Sequence, residues 1–258
     1  MKQLATLLCL CMISVASAST KEKTTYTVGA QDIAYLPHYD FDNEVERGAI
    51  WRLLELYAAD RQIEFEYVAL PIKRLHKALL AGSIDFVFPD NPKWFNQQFK
   101  GVKKHYSNAF YEVLGASFVH TSDYNLRIDD VERLSVPSGF SPVFWQSRID
   151  RGDIMLLETT DAVAALRLVV SKRAQVTDLE YSVVEWHKKN HPDFTDIRMS
   201  PFLPHDVVAF HLTTVHFPEL LADLDAFLLE NATLLKQLKQ QYGIIDARKQ
   251  ARLIFKMQ

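Results

Sequence analysis

Apolar and polar positions change period several times along the chain, and each change marks an element. Residues 26–30 (YTVGA) are a short run of strand formers, followed by an aromatic-rich loop at 32–43 (DIAYLPHYDFDN). Over 49–60, Ile50, Leu53, Leu54 and Tyr57 recur at helical spacing and predict an amphipathic helix. Residues 63–68 alternate instead, with Ile63, Phe65 and Tyr67 on one face and Glu64 and Glu66 on the other, as in a strand with one wetter side. Pro71 suits the first turn of a second helix, Leu75 and Leu79 continue its stripe, and Gly82 is a fitting stop. Residues 84–88 (IDFVF) form a third strand that breaks off in the polar loop Pro89, Asp90, Asn91, Pro92. Strand, helix, strand, helix, strand in this order implies a parallel sheet with right-handed crossovers.

The pattern breaks near Tyr111. Residues 111–121 (YEVLGASFVHT) are extended and apolar without helical period, and a polar, acidic stretch follows at 122–133. The first pattern then restarts. Strands are expected over 134–136, 154–157 and 175–179, and a helix over 141–149. Another helix, capped by Thr160, carries Val163, Leu166 and Val170, with Lys172 and Arg173 in its last turn, and a further one runs through Trp186. A second extended apolar segment spans 206–212, and helical stripes at Leu221, Leu224, Leu228 and at Leu234, Leu235, Leu238 run on to Gly243. These are two α/β lobes joined by two crossing segments, with a ligand cleft where the carboxyl ends of the strands face each other. The expected division is a signal peptide at 1–18, lobe 1 at 19–118, lobe 2 at 119–207, and at 208–258 a return segment whose helices pack on lobe 1.

Lys2, the apolar stretch 4–15 and Ala16-Ser17-Ala18 have the form of a signal peptide cleaved after Ala18, so a periplasmic protein is expected. Both cysteines, Cys9 and Cys11, fall inside that apolar stretch, which excludes disulfides and thiol catalysis from the mature chain. A net charge of −3 without a basic cluster argues against nucleic acid. His187 and His191 stand four apart, but Pro192 follows and no acidic third ligand is in place, so no metal or other cofactor is expected. No G-x-S-x-G, Walker A or H-E-x-x-H motif occurs, and a non-catalytic, monomeric binding protein is the expectation.

In their order and spacing, YTVGAQDIAYLPH (26–38), PIKRLHKALLAGSIDFVF (71–88), LSVPSGFS (134–141) and AQVTDLEYS (174–182) resemble the family 3 periplasmic solute-binding proteins. These have the type II two-lobed fold and serve amino-acid ABC transporters, and the resemblance spans residues 26–243. It implies that the loop after the third strand lines the ligand and that an arginine just downstream grips the ligand's carboxylate, for which a guanidinium fork is suited. Here that loop reads PDNPKWFNQQFKG and holds no arginine. Gln97 is nearest to the expected position, Lys93 and Lys100 are the nearby cations, and Arg74 could enter from the start of its helix. Asp90 and Trp94 are further candidates in the loop. Asp178 matches an aspartate that holds the ligand's ammonium, or else caps the helix that follows. Tyr35 matches an aromatic that stacks on the ligand, with Asp32, His38 and Tyr39 beside it. Gly139, Phe140 and Ser141 match a turn whose N–H groups receive an anion, with Phe140 in place of a small hydroxyl residue. A missing arginine with a retained aspartate tilts the expected ligand towards an amine or amino-acid-like cation. The expected partner is a membrane permease or a membrane sensor; a dehydratase-like enzyme on the same fold is the lesser alternative.

Overall fold

The computed structural model describes residues 23–94 and 101–255; the expected leader and the candidates Gln97 and Lys100 lie outside them. The chain runs through β1 (Thr25–Gln31), α1 (Gly48–Arg61), β2 (Glu64–Leu70), α2 (Ile72–Leu80), β3 (Phe86–Asp90) and the short β4 (His105–Tyr106). Strand β5 (Tyr111–His120) then leads into β6 (Arg133–Pro137), α3 (Gln146–Asp150), β7 (Met155–Thr159), α4 (Ala162–Val170), β8 (Val176–Glu180), α5 (Tyr181–Asn190) and β9 (Ile197–Met199). Strand β10 (His205–Thr214) returns, and α6 (Pro218–Glu230), α7 (Ala232–Gln241) and α8 (Ala247–Phe255) follow. No helix among the described residues is long and apolar enough to cross a membrane.

The sheet order is β2-β1-β3-β10-β5-β8-β6-β7, with β4 on β10 and β9 on β5. β1 is parallel to both β2 and β3, and β6 is parallel to both β7 and β8, so each lobe has its own parallel sheet. The two long extended segments join them. β10 pairs antiparallel with β5 over 205–210, then with β3 from His211 onward past an irregularity between His211 and Thr213. β5 in turn gives its second half to β8, with Ser117 opposite Asp178. Each strand thus belongs to both lobes, which makes the pair a hinge.

The helices after β10 pack on the first lobe. Phe217 sits edge-on to Tyr26 at 5.2 Å, and Phe227 meets Tyr57 at 5.4 Å. Asp223 on α6 accepts hydrogen bonds from the Tyr57 hydroxyl at 2.9 Å and from Arg61 Nε at 2.8 Å. α8 lies against β5 and β10, where Arg248 pairs with Glu112.

Two local expectations are corrected. Thr160 does not cap α4; Asp161 does, accepting from the Ala164 N–H at 2.7 Å. The helix expected over 141–149 starts only at Gln146. Ser141 precedes Pro142, which disfavours helical backbone at Ser141, and the fully buried Trp145 pins the start of the turn.

The loop between β1 and α1 is locked at its far end. The first free N–H groups of α1 donate into it, Ala49 to Pro37 O and Ile50 to His38 O, both at 3.0 Å. Gly48 makes this approach possible: its φ is +84°, and a Cβ there would lie 2.5 Å from the His38 carbonyl oxygen. Gly48→Ala should therefore lower stability by about 2–3 kcal/mol, read as an earlier urea midpoint; an unchanged midpoint would show that the loop yields freely.

Candidate ligand-binding cleft

The β1–α1 loop carries lobe 1 to the mouth of lobe 2. Tyr35 is buried, lies 5.5 Å from the Tyr39 ring, and meets Phe140 of lobe 2 edge-on at 5.4 Å. Its hydroxyl oxygen accepts the Glu180 N–H at 3.0 Å. Beside it, Ile72 at the start of α2 presses on Gly139, where a Cβ would come within 3.1 Å of the Ile72 Cβ. The lobes therefore touch along the cleft.

A buried polar chain ties them. His38 Nε2 lies 2.6 Å from Glu180 Oε2, and His38 Nδ1 lies 2.8 Å from the Tyr111 hydroxyl at the start of the hinge. A carboxylate only accepts, so Nε2 carries the proton of this contact, and in the neutral ring Nδ1 accepts from Tyr111. Glu180 Oε2 also takes the Val183 N–H at 2.9 Å, so Glu180 is the cap of α5. This settles the alternative role of Asp178, which does not cap that helix.

Asp178 sits on β8 with its side chain partly accessible. It carries no hydrogen bond or ion pair among the described residues, and burial alone pushes its pKa up to about 7. Its charge, after burial itself and the nearer Glu180, helps hold the Tyr35 phenol well above its ordinary range. Tyr35, Phe140 and Asp178 thus converge from both lobes.

The other candidates divide. Asp90 is fully buried, and its Oδ2 pairs with Lys104 Nζ at 2.5 Å. Burial lowers the pKa of Lys104, while Asp90 opposes that shift. Tyr39 is a core residue whose hydroxyl donates to Gln31 Oε1 at 2.8 Å. Asp32 and Arg74 are exposed. Gly139 has the positive φ of the expected turn, +87°, but its N–H already donates to Glu158 Oε1 at 3.1 Å, so it is not free for a ligand anion. Ser141 is half-buried beside it. Lys93 and Trp94 line a cavity of about 280 Å³ with Asn91, Val143, Phe144 and Asp206, and Lys93 pairs loosely with Asp206 at 3.5 Å. Phe210 links the two groups, since it touches Trp94 on one side and His38 on the other. A larger groove of about 760 Å³, between Pro37, Trp186 and Tyr242, holds none of the candidates. The His187 and His191 rings lie 5.7 Å apart, and burial with the neighbouring His191 pushes His187 down to about 4. Among the described residues no group of three His, Cys, Asp or Glu is placed to hold a metal ion.

Glu180, Glu158 and Lys104 escaped the sequence reading. Glutamate is not among the usual N-cap residues, so no local signal flagged Glu180 as the cap of α5. Glu158 and Lys104 find their partners only through the packing of distant segments.

No family profile and no curated protein sequence matches the chain. Solved structures do. The GluR0 ligand-binding core in complex with L-glutamate superposes with a TM-score of 0.69 at 11% identity, covering 86% of this chain and 99% of that one. An arginine third-transport-system periplasmic binding protein from Legionella pneumophila gives 0.65 at 12% identity, covering 85% and 100%. The BvgS VFT2 domain of Bordetella pertussis, as a double mutant, gives 0.66 at 14% identity, covering 84% and 93%. The chain has the two-lobed α/β fold of periplasmic binding proteins and ligand-binding cores.

The state of Asp178 has a consequence for stability. In the unfolded chain an aspartate titrates near 3.8, whereas in the fold Asp178 titrates near 7. Between these values only the unfolded chain releases the proton, so stability falls as pH rises from about 4 to about 7 and is level above. Asp178→Asn should remove this slope and stabilise the ligand-free protein at pH 8 by roughly 2–4 kcal/mol. Chemical denaturation at pH 5 and pH 8 measures it, and equal slopes in the two proteins would contradict a buried, unpaired carboxyl.

Proposed function

We propose that the protein is a periplasmic, non-catalytic solute-binding protein that closes its lobes on a small polar ligand bearing a cationic amine. One observation carries this reading: Asp178 is a largely desolvated carboxyl without a partner among the described residues, close enough to Tyr35 to act on its phenol, and the Tyr35 ring meets Phe140. An ammonium supplies the missing charge and donors, and the ring faces suit a cation or its methylene chain. No arginine stands in the loop after β3, and two of its lysines are engaged, Lys104 with Asp90 and Lys93 with Asp206. The hinge of β5 and β10 supplies the motion that opens and closes the cleft. In this reading the chain is exported, trimmed after Ala18, and presents its closed form to a membrane permease of an ABC transporter; a membrane sensor is the other partner such a form could dock.

A thermal-shift screen of amines, polyamines and amino acids finds the ligand, because binding to the folded state raises its melting temperature. With the best ligand, calorimetric titration should show Asp178→Asn weakening binding by more than tenfold, in line with about 2–5 kcal/mol for truncating a buried charge pair. Tyr35→Ala should weaken it as well, through lost ring contact. Binding to the wild type should strengthen as pH rises towards 7, since the ammonium displaces the proton of Asp178. An affinity indifferent to both Asp178→Asn and pH would sink the reading.

A further inference from the structure

Glu158, at the end of β7, reaches back across the mouth of lobe 2. Its Oε1 accepts the Gly139 N–H at 3.1 Å and the Ser138 hydroxyl at 3.2 Å. Lys73, on α2 of the other lobe, brings its Nζ to 4.0 Å from the same oxygen. Gly139 is also the residue that Ile72 of lobe 1 covers. An N–H, a hydroxyl and an ammonium from two lobes therefore converge on one carboxylate oxygen at their contact. These are the donors of an anion site shared between the two lobes, and a side chain of the protein itself fills it. Lys73 and Glu158 are both well exposed, so their pair adds little energy; the amide and hydroxyl set the position of the anion.

We infer that Glu158 is a tethered carboxylate that takes the place of a ligand's carboxylate, so that the cleft selects amines lacking a carboxylate over the corresponding amino acids. The inference rests on the amine reading of Asp178 given above. A free carboxylate brought to this turn meets donors already in use and the negative charge of Glu158, and like charges at short range discriminate strongly against a ligand. A decarboxylated amine meets no such opposition and leaves the lobe contact intact. Glu158 is then a specificity-determining residue, and the ligand class is that of diamines and guanidino-amines.

Two ligand pairs differing only in the carboxylate test this: agmatine against arginine, and cadaverine against lysine. Calorimetric titration is made on the wild type, on Glu158→Ala and on Asp178→Asn. The expected result is that the wild type binds at least one amine tenfold or more tightly than its amino acid, and that Glu158→Ala narrows or reverses that ratio by tenfold. The ratio in the wild type needs no variant, and circular dichroism establishes that Glu158→Ala is folded. If arginine or lysine binds the wild type as tightly as its amine while Asp178→Asn still abolishes binding, the role of Glu158 is overturned and the amine reading stands. A tenfold preference that Glu158→Ala leaves unchanged overturns the assignment to this residue. If none of the four compounds binds the wild type, the amine reading and this inference fall together.

Discussion

Two strands that each serve two sheets hold this molecule together. β5 and β10 pair with each other near the middle of the structure, and then β10 pairs with β3 of lobe 1 and β5 with β8 of lobe 2. Backbone hydrogen bonds in a ladder are obligatory for buried strands, so neither lobe can drift away from the other. The apolar core follows the same route. Phe88 stacks on Phe110 at 5.3 Å, Phe210 crosses Phe88, and Tyr111 begins the hinge, so the aromatic packing of lobe 1 continues into the connection.

Three acidic side chains at the cleft have three different fates, and their difference is the chemistry of the site. Glu180 is buried and held by His38 and by the N-terminus of α5. Such a pair contributes little net stability, because desolvation offsets most of the attraction, but it specifies which surfaces meet. Glu158 is satisfied by the turn at Ser138 and Gly139. Of the three, Asp178 alone has no partner among the described residues, and burial raises its pKa. This difference is why the proposed function rests on Asp178 and not on Glu180 or Glu158.

The aromatic wall repeats the division. Tyr39 belongs to the core and supports the loop, whereas Tyr35, four residues earlier, carries that loop's contact into lobe 2. Gly48 makes the support possible from below, since no other residue type lets α1 approach the His38 carbonyl so closely.

The order of elements, the two long extended segments and the division into two α/β units were legible in the sequence, because each rests on local patterning: a 3.6 period in α1 and α4, a period of 2.0 in β2, and mostly apolar runs without helical period in β3 and β5. The candidates Tyr35, Phe140 and Asp178 came from the family resemblance, and the structure sets Tyr35 against Phe140 and within electrostatic reach of Asp178. What no local pattern could carry was which carboxylate faces which donor. Asp90 ends β3 and Asp178 lies inside β8, yet it is Asp90 that finds a cation, Lys104, on a segment brought in by the fold. Glu158 lies nineteen residues beyond Gly139 in the chain and meets it only because β6 and β7 pair in parallel. Periodicity is a property of neighbours along the chain and is written in the sequence. Charge pairing depends on distances between remote segments, and these exist only once the chain is folded.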